Sequence, residues 1–126
     1  MSPENSSPVQ NHHAINYIEL AATDIAAAKK LYSSAFGWSF TDYGPEYTSF
    51  DAKAAGIAGG FYKADSHDPQ PATAPLVVLY SADLKATEAA VIAAGGLVVV
   101  PTFEFPGGRR FHFADGVGNV LAVWSE

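Results

Sequence analysis

The chain has 126 residues, 48% of them apolar and 16% charged, with a formal charge of −6 and no cysteine. This length and apolar content fit one globular domain with a core and exclude a disordered chain. The missing cysteines remove disulfides, thiolate metal ligands and a cysteine nucleophile, and they agree with an expected cytoplasmic location; an acidic chain without a basic stripe is not expected to bind nucleic acid.

Residues 1–13 are polar and rich in Pro and Ser, without the basic and apolar regions of a signal peptide, and are expected to form a disordered leader. No apolar run approaches the ~20 residues of a membrane span, so no membrane partner is expected. Residues 14–21 alternate and predict a first strand. Thr23-Asp24 is a helix-capping pair, and Ile25, Ala28, Tyr32 and Ala35 recur at helical spacing until Gly37 ends the helix. Strands follow at 38–42, 46–50 and 56–63, with Tyr43-Gly44-Pro45 as a turn and Gly59-Gly60 marking a bulge or a close backbone approach. Residues 64–74, with Pro69 and Pro71, read as a linker. A fifth strand at 75–81 leads to a second helix from Asp83 to about Ala94, ended by Gly95-Gly96. Strand six is expected at 97–100, then a loop at 101–108 whose Pro106-Gly107-Gly108 reads as a turn or flap. Strand seven covers 109–114, Gly116 to Asn119 form a hairpin turn, and strand eight covers 120–125.

The order strand, helix, three strands occurs twice. A shift of 59 positions carries Asp24 onto Asp83, Ile25 onto Leu84, Tyr32 onto Val91 and Gly37 onto Gly96. The reading is one α+β domain over 14–125: module one at 14–63, the linker at 64–74 and module two at 75–125.

Two stretches resemble a known family. Ile15 to Leu20, Thr23-Asp24, Leu31-Tyr32 and Phe36-Gly37-Trp38 look like the opening of a glyoxalase-type module. Arg110 to Asp115, then Gly118-Asn119 and Val120 to Trp124, resemble the closing hairpin, with Gly116 where the family usually has Pro. The resemblance is to the glyoxalase/bleomycin resistance/dioxygenase (vicinal oxygen chelate) superfamily. It implies two βαβββ modules forming a curved mixed sheet around a cavity, with the helices outside, and it suggests a homodimer.

Many members hold a divalent metal through His, Glu or Gln on the first and last strand of each module, donors suited to Zn, Ni, Fe or Mn. The positions that correspond here are Tyr17, Leu76, Ala122 and a fourth strand without His, Glu, Gln or Asp. No cofactor is therefore expected. His12-His13 and His67 are read as solvated. Strand alternation sends Ile18, Leu20, Val77, Leu79, Leu121, Val123, Phe111 and Phe113 to the core. It leaves Tyr17, Glu19, Leu76, Val78, Tyr80, Ala122, Trp124, Arg110 and His112 facing the cavity, with Tyr47 contributing a further hydroxyl.

This mixture of apolar surface with a few polar groups suits a small-molecule ligand. Two functions follow. One is a metal-free module that binds a largely apolar or aromatic molecule through Tyr17, Tyr47, Leu76, Tyr80, Arg110 and Trp124. The other is a glyoxalase-like lyase or isomerase, using displaced metal ligands or Glu19 and His112 as an acid/base pair. Trp38 and Phe40 are read as either interface or core.

Overall fold

The structure, a computed structural model, describes residues 12–65 and 74–126. His67 and most of the expected leader and linker lie outside them. The elements are β1 (Tyr17–Ala22), α1 (Ile25–Phe36), β2 (Phe40–Asp42), β3 (Tyr47–Phe50), α2 (Ala52–Ala55), β4 (Ala58–Lys63), β5 (Val78–Tyr80), α3 (Leu84–Ala93), β6 (Leu97–Phe105), β7 (Gly108–Ala114) and β8 (Val120–Ser125).

The two halves repeat one topology. Sheet one runs β1-β4-β3-β2 and sheet two runs β5-β8-β7-β6. In each, the first strand lies parallel to the last and the remaining pairs are antiparallel. The helix starts repeat as well. Asp24 (φ −143°, ψ 100°) accepts from the Ala27 amide, and Asp83 (φ −142°, ψ 91°) accepts from the Ala86 amide. Each extended Asp satisfies an orphan donor of the first turn. The helix ends differ. Gly37 closes α1 in the left-handed region at φ 75°, whereas Gly95 takes that role after α3 at φ 102°. Gly96 instead lies against Val91, where a Cβ would come 2.6 Å from Cγ1.

Two segments depart from the sequence expectations. Asp51 caps the short helix α2, which Gly56 ends at φ 88°, so the fourth strand begins at Ala58. The expected loop after Val100 is strand instead. β6 continues to Phe105, with register shifts between Val98 and Val100 and between Val100 and Phe103. β6 is an edge strand, where the missing N–H of Pro101 need not break a ladder, and the irregular register accommodates the ring. The expected flap thus reduces to the tight end of the β6–β7 hairpin. Gly108 there is packed against the backbone: an added Cβ would meet the Ser125 carbonyl oxygen.

The helix-facing sides of both sheets supply a single core. Tyr32, Trp38, Phe50 and Phe61 from the first half join Val91, Phe111, Phe113, Leu121 and Val123 from the second. The Phe36 ring lies 5.8 Å from Phe113 across the join. Trp38 is only 7% exposed and stacks 5.0 Å from Tyr32, and Phe40 packs against the same cluster, so both serve the core. The β7–β8 turn is bonded to the end of β1: the Thr23 amide donates to Val117 O (3.0 Å) and Asn119 Nδ2 to Ala21 O (2.7 Å). At this join Tyr32 Oη donates to Asp115 Oδ2 at 2.8 Å. Burial and the neighbouring Asp115 charge push the Tyr32 phenol well above its ordinary range, so it stays a donor.

Candidate functional site

The faces turned away from the core carry the predicted site residues. On sheet one, Tyr17 and Glu19 of β1 alternate with Ile18 and Leu20 and stay exposed. Across β4 from them, Tyr47 of β3 reaches back over Gly60, which has no side chain to block its ring. Its hydroxyl donates to Glu19 Oε2 at 3.0 Å and meets the Tyr17 hydroxyl at 2.5 Å. Beside this trio lies a hollow of about 500 Å³, walled by Tyr17, Tyr43, Tyr47 and Asp51 with Thr41 and Ser49 on its floor.

On sheet two, Arg110 and His112 of β7 and Trp124 of β8 share the outward face with Tyr80 of β5. Arg110 stands opposite Trp124, and His112 opposite Ala122. The Arg110 guanidinium lies 5.2 Å from the ring centres of both Phe103 and Phe105. Tyr80 and Phe105 flank Trp124 at 5.2 and 6.3 Å. Phe103 also lies 5.8 Å from His112. Phe103 and Phe105 are functional candidates that the sequence reading placed in a loop. Their i, i+2 spacing was the available signal for a strand face.

Glu19 and His112 are not brought together. They stand on different sheets, and among the described residues neither hydrogen bond nor ring contact links their neighbourhoods. The reason is topological. Glu19 lies on β1, an edge of sheet one, and His112 on β7, an interior strand of sheet two. The hollow on sheet one is accordingly lined by module one alone. Leu76 lines a cleft of about 540 Å³ together with Val78 and Tyr80, between the segment leading into β5 and the inner side of sheet one, alongside Ile18, Trp38 and Phe50.

The residues present do not fit the metal that the resemblance implies. Leu76 and Ala122 have no donor atom, and Tyr17 is a poor donor whose hydroxyl already meets that of Tyr47. Gly60 is the third residue of β4, as Ala122 is of β8, and the space a side chain would need there is filled by the Tyr47 hydroxyl, 2.2 Å from an added Cβ. Among the described residues no three His, Cys, Asp or Glu side chains gather as a metal group.

His112 Nε2 and Arg110 Nε are buried without a hydrogen-bond partner among the described residues. Burial, and after it the Arg110 charge, lowers the His112 pKa from its ordinary value. A lowered value means the fold disfavours the protonated ring. His112's contribution to stability is therefore intact above the unfolded value, near about 6.5, and is lost as the pH falls through the folded value. His112→Gln should flatten the acid side of the stability profile below about pH 6.5, measured by urea unfolding; an unchanged profile would contradict this account.

Comparison with known proteins bears on this arrangement. The model of the Glyoxalase/Bleomycin resistance protein/Dioxygenase superfamily matches residues 14–123. CFP32 of Mycobacterium bovis and Mycobacterium tuberculosis, provisionally named a glyoxylase, is 28% identical over 115 residues, which cover 86% of this chain and 44% of that protein. The chain thus spans less than half the length of the curated relatives it matches. A glyoxalase-related enzyme from Fulvimarina pelagi superposes with a TM-score of 0.74 at 19% identity, covering 90% of this chain and 88% of that one. The fosfomycin resistance protein FosX of Listeria monocytogenes gives 0.73 at 14% identity, covering 90% and 93%. At these identities the structures share the fold.

Proposed function

From the premise that this chain belongs to the glyoxalase/bleomycin resistance protein/dioxygenase superfamily, we propose that it binds a small, largely apolar or aromatic molecule without the divalent metal usual there. The observation that carries this reading is the outward face of sheet two. Trp124 stands there between Tyr80 and Phe105, beside an Arg110 held over two phenyl rings. Aromatic surface with one fixed cation suits a planar ligand. Val78 and Tyr80, 42% and 55% exposed, extend the same apolar face.

We also propose a cytoplasmic homodimer. Glu19 and His112 stand on different sheets and no described hollow is lined by both, so a second copy that brings the two outward faces together would complete a shared cavity. The metal-free form of the lyase or isomerase alternative, which uses Glu19 and His112, depends on the same pairing, and the metal-dependent form needs displaced ligands.

The test combines three measurements on the whole chain. Metal analysis of protein purified without chelator should find less than one tightly held transition metal per chain. Thermal shift against a panel of aromatic compounds should give a stabilising ligand. Trp124→Ala and Arg110→Ala should each weaken that ligand by about tenfold or more. Stoichiometric metal, or ligand affinity indifferent to both substitutions, would overturn the reading. Light scattering at micromolar concentration tests the dimer, and robust turnover of methylglyoxal with glutathione in added Zn or Ni would favour the enzyme.

A further inference from the structure

The hydroxyls on sheet one form a chain with a defined direction. Tyr47 has one phenolic proton and donates it to Glu19 Oε2. Its contact with Tyr17 must then be a bond in which Tyr17 donates. Tyr47 does not ionise and reverse this order: burial first, then its bond to the Glu19 carboxylate, raises its phenol well above the ordinary range. The Tyr17 oxygen is left with lone pairs only, at the head of a relay that ends on a carboxylate. Each bond in such a chain polarises the next, which makes that oxygen a stronger acceptor.

The adjoining hollow has the same character. It is lined by Tyr17, Tyr43, Tyr47 and Asp51 with the hydroxyl residues Ser39, Thr41 and Ser49, and among the described residues neither Lys nor Arg lines it. Asp51 already accepts from the backbone N–H of Lys53 at the start of α2, which uses one of its oxygens. The volume of about 500 Å³ lies within the range of small-molecule sites. Three tyrosines, the Asp51 carboxylate and the acceptor-only Tyr17 oxygen, with no Lys or Arg among the described lining residues to offset them, favour a cation that carries N–H donors.

We infer that the hollow over sheet one receives a protonated amine, whose N–H donates to the Tyr17 hydroxyl oxygen. The inference deepens the small-molecule reading by naming the polar head the ligand carries, and it rests on that reading for the existence of a ligand. An anion would meet the Asp51 carboxylate with no Lys or Arg among the described lining residues to offset it, and a neutral alcohol would forgo the attraction of that carboxylate and the tyrosines.

The experiment uses three probes of one shape: phenethylamine, 2-phenylethanol and 3-phenylpropionate. Dissociation constants are read by NMR titration of the full chain, following tyrosine ring and Trp124 indole signals separately. Phenethylamine should bind at the tyrosine signals at least about tenfold more tightly than either other probe. Tyr17→Phe and Glu19→Gln should each weaken it about five- to tenfold, with thermal melting confirming that both variants fold. The inference is overturned if phenethylamine fails to shift the tyrosine signals up to its solubility limit. It is equally overturned if the acid binds there as well as the amine, or if both variants retain the wild-type affinity. The outcomes separate the two readings. Binding of 3-phenylpropionate at Trp124, abolished by Trp124→Ala while the amine is ignored, leaves the aromatic-ligand reading standing and removes this one. Amine binding that depends on Tyr17, with a silent Trp124, supports this inference and removes the role given to sheet two.

Discussion

Asp115→Ala is expected to lower the unfolding free energy by about 3 kcal/mol or more, because it leaves several buried donors unpaired at about 1–3 kcal/mol each. Asp115 is 4% exposed. It accepts from the amides of Val117 (2.9 Å) and Asn119 (3.0 Å), from Asn119 Nδ2 (2.9 Å) and from the Tyr32 hydroxyl (2.8 Å). The substitution leaves those donors without their acceptor, and Tyr32 is itself fully buried. It also frees the β7–β8 turn, whose bonds to Thr23 and Ala21 join the two halves. For a domain of this size the change corresponds to a melting point lower by roughly 10–20 °C. Asp115→Asn keeps one acceptor oxygen and should cost markedly less. Urea unfolding of both variants checks the account, which fails if Asp115→Ala costs under about 1 kcal/mol.

Gly59→Ala should cost about 2–3 kcal/mol, at the upper end of ordinary overpacking. β4 is an interior strand, and a Cβ on Gly59 would meet Ile18 O at 2.2 Å and the Phe50 ring at 2.5 Å. The carbonyl belongs to the β1–β4 ladder and cannot yield without breaking it. Gly60→Ala acts on the opposite face. Its Cβ meets the Tyr47 hydroxyl first, at 2.2 Å, and then Thr48 O at 2.7 Å. Tyr47 should swing away from Glu19 and Tyr17, so near-UV circular dichroism of the tyrosines changes in Gly60→Ala. Gly59→Ala should change stability and leave the relay in place. Equal tyrosine signatures in the two variants would contradict this division of labour.

Much of this was legible before any coordinates. The 59-residue shift carrying Asp24 onto Asp83 reappears as two helix caps with nearly the same backbone angles, because a capping Asp before a periodic run is a local signal. Alternation sorted Tyr17 and Glu19 from Ile18 and Leu20, and Phe111 and Phe113 from Arg110 and His112, because strand geometry has a period of two. β6 was missed where Pro101 reads as a breaker; only its place at a sheet edge makes the proline tolerable. Gly59-Gly60 was read as a bulge or a close approach, and the unbroken registers of β4 with β1 and β3 select the close approach.

The sequence by itself determined the two-module α+β fold, the faces of most strands and the absence of a metal-donor atom at Leu76 and Ala122, since each depends on residue type and local period. Only the tertiary structure decided which outward residues meet. Pairing of β1 with β4 and of β4 with β3 brings Tyr17, Glu19 and Tyr47 together over Gly60. Pairing of β6, β7 and β8 brings Arg110 between Phe103 and Phe105, beside Trp124. Glu19 and His112 lie on different sheets, on β1 and β7, where Glu19 meets Tyr47 and His112 meets Phe103. Which edges pair is set by burial summed over the whole chain, a quantity that no local pattern records.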